Sequence, residues 1–139
     1  WDLRDVIGYL PQDIDIFNLS LAANLRLGNP QASDQQLWQV LTDVALADWV
    51  RAHPQQLQLR PGELGSAVSG GQARRIALAR LLLAERPVLL LDEPFAGLDA
   101  VTREQVMAAL GRRQRQGLLI IVSHQPVMAE RLCAVRIGD

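Results

Sequence analysis

Two apolar runs, "VLLLDE" at 88–93 and "LLIIVSH" at 118–124, constrain the fold more than anything else in this chain. Each has the length of a strand, and neither alternates polar with apolar residues. A strand wetted on one side alternates, so an unbroken run is expected of a strand covered on both faces, the habit of parallel sheets packed between helices. Between the runs, Val106, Ala109 and Leu110 recur at helical spacing, which predicts a helix over 101–116 with Gly117 just beyond it. "DVIGYLPQD" (5–13) reads as a shorter strand ended by Pro11. "AVRIG" (134–138) reads as a last strand after a short helix ending near Leu132. Alternation of strand and helix in this order implies an α/β fold, a parallel sheet with helices on both faces.

The segment from about residue 14 to 84 interrupts that alternation and reads as a helical block inserted between the first two strands. Leu37, Val40, Leu41 and Val44 stand at i, i+3, i+4 and i+7, one buried helical face. Ser33 and Gln36 have capping-box spacing at its start. Leu46, Trp49 and Val50 suggest a second, shorter helix, and "RPGELGSA" (60–67) is a loop by its proline and glycine content. A helix after "SGGQ" runs to about Ala84, with Pro87 beyond its end. Trp38 and Trp49 fit core positions, and His53, before Pro54, fits the surface.

Bulk properties exclude several classes. The 139 residues suffice for one domain with a core, and a net charge of -1 gives no reason to expect nucleic acid. No stretch approaches the roughly 18 apolar residues of a membrane span. The single cysteine, Cys133, forms no internal disulfide and fits a small apolar position. The chain opens on Trp1, without an initiator methionine, and is expected to be part of a longer protein.

The chemistry gathers at strand ends. Asp92 and Glu93 close a buried strand, and the carboxyl edge of a parallel sheet is where α/β folds bind ligands. Asp92 suits Mg²⁺, directly or through water, and Glu93 could orient or deprotonate an attacking water. A strand ending in solvated acids would look the same. Ser69, Gly70 and Gly71 begin a helix whose unpaired N–H groups and partial positive charge suit an anion, though an ordinary capped helix start shares the pattern. His124 follows the second apolar run and could contact a terminal phosphate; Gln12 holds the equivalent place after the first strand. His124 also reads as a polar residue closing a strand, and Gln12 as a lone glutamine in a loop. All this is nucleotide chemistry, yet all fourteen basic residues are arginine. Without lysine, a phosphate loop of the form G-x-x-x-x-G-K-[ST] cannot be present in these residues.

In order and spacing, "VSGGQ" (68–72), "RRIALAR" (74–80), "VLLLDE" (88–93), "AGLD" (96–99), His124 and Gln12 resemble the nucleotide-binding domain of ABC transporters across nearly the whole chain. Val68 replaces the leucine of the family signature LSGGQ. "IFNLSLAANLRLG" (16–28) and "GELGSAVSGGQ" (62–72) are similar to the exporter type, with Leu64 where the family has arginine and Glu63 kept. "LRLGNPQASDQQLWQVL" and "FAGLDAVTR" resemble, within that type, the thiol (cysteine or glutathione) exporters of cytochrome bd assembly.

The resemblance implies a P-loop NTPase-like parallel sheet whose N-terminal part lies upstream. Residues 14–84 would form a helical subdomain, and 1–13 with 85–139 part of the core sheet. It implies ATP and Mg²⁺ as ligands, with Asp92 serving the metal and Glu93 the catalytic base. Gln12 would contact the metal or the water and couple to the membrane part, and His124 would hold the γ-phosphate. Ser69, Gly70, Gly71 and Gln72 would bind ATP carried by the opposite subunit of a head-to-tail dimer, and Asp99 would cross that interface. The implied partners are a second ATPase subunit and a transmembrane domain upstream on the same polypeptide, at the cytoplasmic face of the inner membrane. This answers the missing lysine: the phosphate loop would be encoded upstream. The strand leading into that loop would lie between "LLIIVS" and "AVRIG", so these residues alone are expected to leave a gap in their sheet, an exposed apolar edge and little ATP affinity. A soluble ABC-type ATPase and a non-catalytic half of an ABC pair are the alternatives. The compact interval from Gln12 to Ser69 counts against the first, and the presence of Glu93 and His124 against the second.

Overall fold

A computed structural model describes residues 6–14, 16–61, 70–123 and 135–136. The elements run β1 (Ile7–Leu10), α1 (Leu21–Arg26), α2 (Asp34–Asp43), α3 (Ala47–Ala52), a 3₁₀ turn (Gln56–Gln58), α4 (Gly70–Leu83), β2 (Val88–Asp92), α5 (Ala100–Arg113), β3 (Leu118–Ser123) and β4 (Val135–Arg136). The strands form one four-stranded sheet in the order β1-β2-β3-β4, parallel throughout. The short helix expected near Leu132 and the loop at 62–67 lie outside the described residues.

Register sets which side chains face the core. Gly8 and Leu10 pair with Leu89 and Leu91, which pair in turn with Leu119 and Ile121. Paired residues share a face, and all of these are buried. The opposite face carries Ile7, Tyr9, Val88, Leu90, Leu118, Ile120 and Val122, all half-buried or exposed, with Tyr9 53% accessible. Among the described residues, then, β2 and β3 are more deeply buried on one face than on the other. The helices bury one face, and the apolar residues of the other remain partly open.

The pairing of β4 also departs from expectation. Val135 and Arg136 pair directly with Val122 and Ser123, so no gap separates "LLIIVS" from the last strand. The physical reason is the edge itself: unpaired backbone groups along β3 are satisfied by the next strand within reach. Among the described residues, this cover extends only over the carboxyl end of β3.

The helical block forms as its patterns require. Ser33 accepts from the Gln36 amide at 3.2 Å while Gln36 Oε1 accepts from the Ser33 amide at 2.8 Å, completing the capping box of α2. Leu37, Val40, Leu41 and Val44 are fully buried. Trp38 and Trp49 pack partly buried against the core, and Arg51 lies 5.3 Å from the Trp38 ring centroid. His53 ends α3, half-buried, with its Nδ1 accepting from the Gln55 amide. Glu85, at a φ of 51°, follows α4 in the left-handed region, with Pro87 two residues on.

One continuous core joins block and sheet, running from Leu21, Leu41 and Ile76 to Leu10, Leu91 and Ile121. Close approach depends on two glycines. A Cβ at Gly8 would stand 2.7 Å from Leu81 Cδ1 of α4, and one at Gly28 would overlap the Arg80 carbonyl. A polar clasp adds to the core. Asp43, at the end of α2, binds Arg112 at 3.2 Å and Arg113 at 2.5 Å on α5.

Candidate functional site

Because the strands are parallel, their carboxyl ends lie at one edge. Leu10 pairs with Leu91, and Asp92 with Val122, so Gln12 and Glu93 follow neighbouring strands into the same region. The Glu93 amide donates to the Val122 carbonyl at 2.8 Å, carrying the β2–β3 pairing past the last residue of β2. Asp92 and Glu93 are half-buried and Gln12 is exposed, so all three can meet a ligand from solvent. Glu93 adopts a φ of 50°. A non-glycine residue in the left-handed region costs on the order of 1–3 kcal/mol and persists only where its surroundings impose it.

The surroundings include Arg74, on the first turns of α4. Arg74 as a whole residue is 7% exposed. Nε donates to the Glu93 carbonyl at 2.6 Å and Nη1 to the Gln12 carbonyl at 2.9 Å. Nη2 donates to the Pro11 carbonyl at 3.0 Å and also to the Asp92 carbonyl. One side chain thus ties the ends of β1 and β2 to the start of α4. The glycines at that start, Gly70 and Gly71, and Gln72 fall within the first turn, at the positive end of a 14-residue helix.

Arg75, next along, bonds the Gly71 carbonyl at 3.3 Å and the Val44 and Ala45 carbonyls at 3.3 and 3.0 Å. Burial pulls its guanidinium below the ordinary value, and the charge of Asp99 opposes that shift. Asp99 caps α5, accepting from the Thr102 amide at 2.7 Å. Hydrogen bonds from Thr102 hold its carboxyl below the usual aspartate value, with the Arg75 charge a smaller contribution.

The structure therefore brings Gln12, Asp92 and Glu93 together beside the helix that bears Gly70, Gly71 and Gln72. Asp99 stands at the head of α5. Ser69 and His124 lie outside the described residues, as do Glu63 and Leu64. Sequence reading missed Arg74. Its signal was present, since Arg74 stands three and four residues before Ala77 and Leu78, on the buried face of α4. A cation on such a face needs acceptors. It also missed Asn24, fully buried, whose side chain exchanges hydrogen bonds with the Phe17 backbone and donates to the Leu19 and Ser20 carbonyls. Asn24 folds the loop after Gln12 onto α1, which gives the serine and asparagine of "IFNLSLAAN" a structural reason, Ser20 capping the same helix.

No group of three or more His, Cys, Asp or Glu that could hold a metal occurs among the described residues. Nor is any described helix long and apolar enough to cross a membrane.

Comparison with known proteins gives the same pattern a family. The ABC transporter family model matches residues 1–96. The chain is 38% identical over 123 residues to the glutathione/L-cysteine transport system ATP-binding/permease protein CydC of Escherichia coli, covering 88% of this chain and 21% of that protein. It is 34% identical over 137 residues to the beta-(1→2)glucan export ATP-binding/permease protein NdvA of Agrobacterium vitis, covering 99% and 22%. The solved structure of a bacterial Atm1-family ABC exporter with ATP bound superposes with a TM-score of 0.81 at 31% identity, over 88% of this chain and 22% of that one. The chain thus spans about a fifth of the length of these relatives. On this match, and on the motifs that the fold gathers at one sheet edge, the chain belongs to the ABC transporter family.

Proposed function

We propose that this chain supplies the hydrolytic edge of the ATPase that powers an ABC-type membrane exporter. The observation that carries the reading is the convergence of Gln12, Asp92 and Glu93 on one edge of a parallel sheet, beside the first turn of α4. Glu93 acts as general base toward the water that attacks the γ-phosphate, and Gln12 orients that water. His124 holds the γ-phosphate.

A carboxylate and an amide oxygen are hard donors. They fit Mg²⁺, which is commonly held by one or two carboxylates together with phosphate oxygens and water. Asp92, assisted by Gln12, would hold the ion, which when bound neutralises phosphate charge.

The reading extends to assembly. Ser69, Gly70, Gly71 and Gln72 contact ATP held by a second ATPase subunit arranged head to tail, with Asp99 across the interface. Residues 14–84 act as the helical subdomain and 1–13 with 85–139 as part of the core sheet. A transmembrane domain seats on the groove bounded by Tyr9, Phe17, Leu27, Gly28 and Arg80, at the cytoplasmic face of the membrane. Phe17 and Leu27 are 49% and 52% exposed there, apolar surface that a partner would cover. The names of the relatives, ATP-binding/permease proteins, support this partner. The test is Glu93→Gln in the full-length protein. Turnover should fall by about 10²–10⁴-fold while ATP binding stays near the parent level. Near-parent turnover would remove Glu93 from the role of base.

A further inference from the structure

The ends of β1 and β2 are not held only by the sheet. Gln12 and Glu93 sit on separate strands, 81 positions apart in the sequence numbering, and nothing in β-pairing fixes the loop beyond Pro11 to the residue beyond Asp92. Arg74 bridges them. Four of its N–H groups reach the carbonyls of Pro11, Gln12, Asp92 and Glu93, from a residue that is only 7% exposed. A guanidinium offers five donors in a rigid planar fork, so it fixes the relative position of its acceptors, where a single ammonium would not. The bond to the Glu93 carbonyl also sits on the residue with the left-handed φ, on the opposite side of that residue from the amide bond to Val122.

Resting on the hydrolytic reading above, we propose that Arg74 is a positioning residue for hydrolysis, a rigid clamp that sets Gln12 and Glu93 relative to each other and to the first turn of α4. Arg74 touches only backbone at these residues and takes no part in bond making. Its consequence is mechanical. Because α4 begins with the signature glycines, a displacement of that helix reaches the carbonyls of Gln12 and Glu93 through one side chain rather than through the sheet. The geometry of the water-orienting and base groups is then tied to the position of the signature turn.

The experiment compares Arg74→Gln and Arg74→Lys with the parent in the full-length protein, with turnover normalised to ATP-binding sites. Arg74→Gln should lower kcat by about 10- to 100-fold, the scale of a small misplacement of reacting groups. KM for ATP should stay within about threefold, because the nucleotide anchors are untouched. Arg74→Lys, keeping the charge but not the fork, should fall between. Hydrogen exchange should quicken at the Glu93 amide and in 6–14, with α2 and α3 as protected as in the parent; a general loss of stability would loosen all of them. Turnover of Arg74→Gln within about twofold of the parent, or loss of ATP binding in step with turnover, overturns the proposal. If Arg74→Gln does not fold, Arg74→Lys is judged by the same criteria. A parent protein that hydrolyses no Mg-ATP overturns the hydrolytic reading itself and the positioning role with it, and that outcome is visible before any Arg74 variant is measured.

Discussion

Asp99 does two jobs with one carboxylate. Its oxygen caps α5 through the Thr102 amide, and its charge faces Arg75 of α4. Because the folded-state carboxyl titrates below its ordinary value, the ionised cap stabilises the fold fully above that ordinary value. The contribution is lost as pH falls from there through the depressed folded value. Thermal midpoints between neutral pH and the ordinary aspartate range should therefore show no loss attributable to this cap. Asp99→Asn should retain the cap geometry and remove this acid-limb dependence. A carboxyl ¹³C titration of Asp99 at or above the ordinary aspartate value would contradict the account. Arg74 illustrates the other side of residue-scale reading. Its place on the apolar face of α4 signals a need for acceptors, but the acceptors are backbone carbonyls up to 63 positions away. Carbonyls are common to every residue, so no side-chain pattern could have named them.

Among the elements, what periodicity controls was legible. The capping box of α2, its four-residue buried face and the Pro11 end of β1 stand where the pattern put them. What depends on neighbours was not. The runs in β2 and β3 are apolar on both sides, and which side packs more deeply among the described residues is set by the helices beside them rather than by composition. β4 joins β3 directly for a related reason: pairing satisfies whichever edge lies within reach. Helix-to-helix spacing was likewise hidden in a single residue. Gly28 lies so close to α4 that an added methyl would overlap the Arg80 carbonyl. Gly28→Ala should accordingly destabilise the ATPase unit by about 1–3 kcal/mol through overpacking against backbone. Scanning calorimetry of the full-length protein would register a lower midpoint for that unit, and an unchanged midpoint would show that α1 can move away without cost.

At the scale of the whole molecule, the sheet edge and the helical block are coupled by shared core and by point contacts. Leu10, Leu91 and Ile121 belong to the same buried cluster as Leu37 and Ile76. Asp43 clasps Arg112 and Arg113, and Arg74 reaches from α4 to the ends of β1 and β2. Family membership was legible because its motifs are short, ordered and chemically necessary; the roles of Ser69 and His124 rest on those motifs alone. The central claim is that Asp92 and Glu93, adjacent on one strand end, divide the work between metal and water. The measurement that tests it most directly is the Mg²⁺ dependence of phosphate release by the full-length protein, at saturating ATP, for the parent, Asp92→Asn and Glu93→Gln. The account predicts that Asp92→Asn raises half-saturating Mg²⁺ by about tenfold or more, because a hard oxygen ligand is lost. Glu93→Gln should keep half-saturating Mg²⁺ within about twofold while turnover drops by about 10²–10⁴-fold. Equal Mg²⁺ requirements for Asp92→Asn and the parent, or near-parent turnover in Glu93→Gln, would contradict that division of roles.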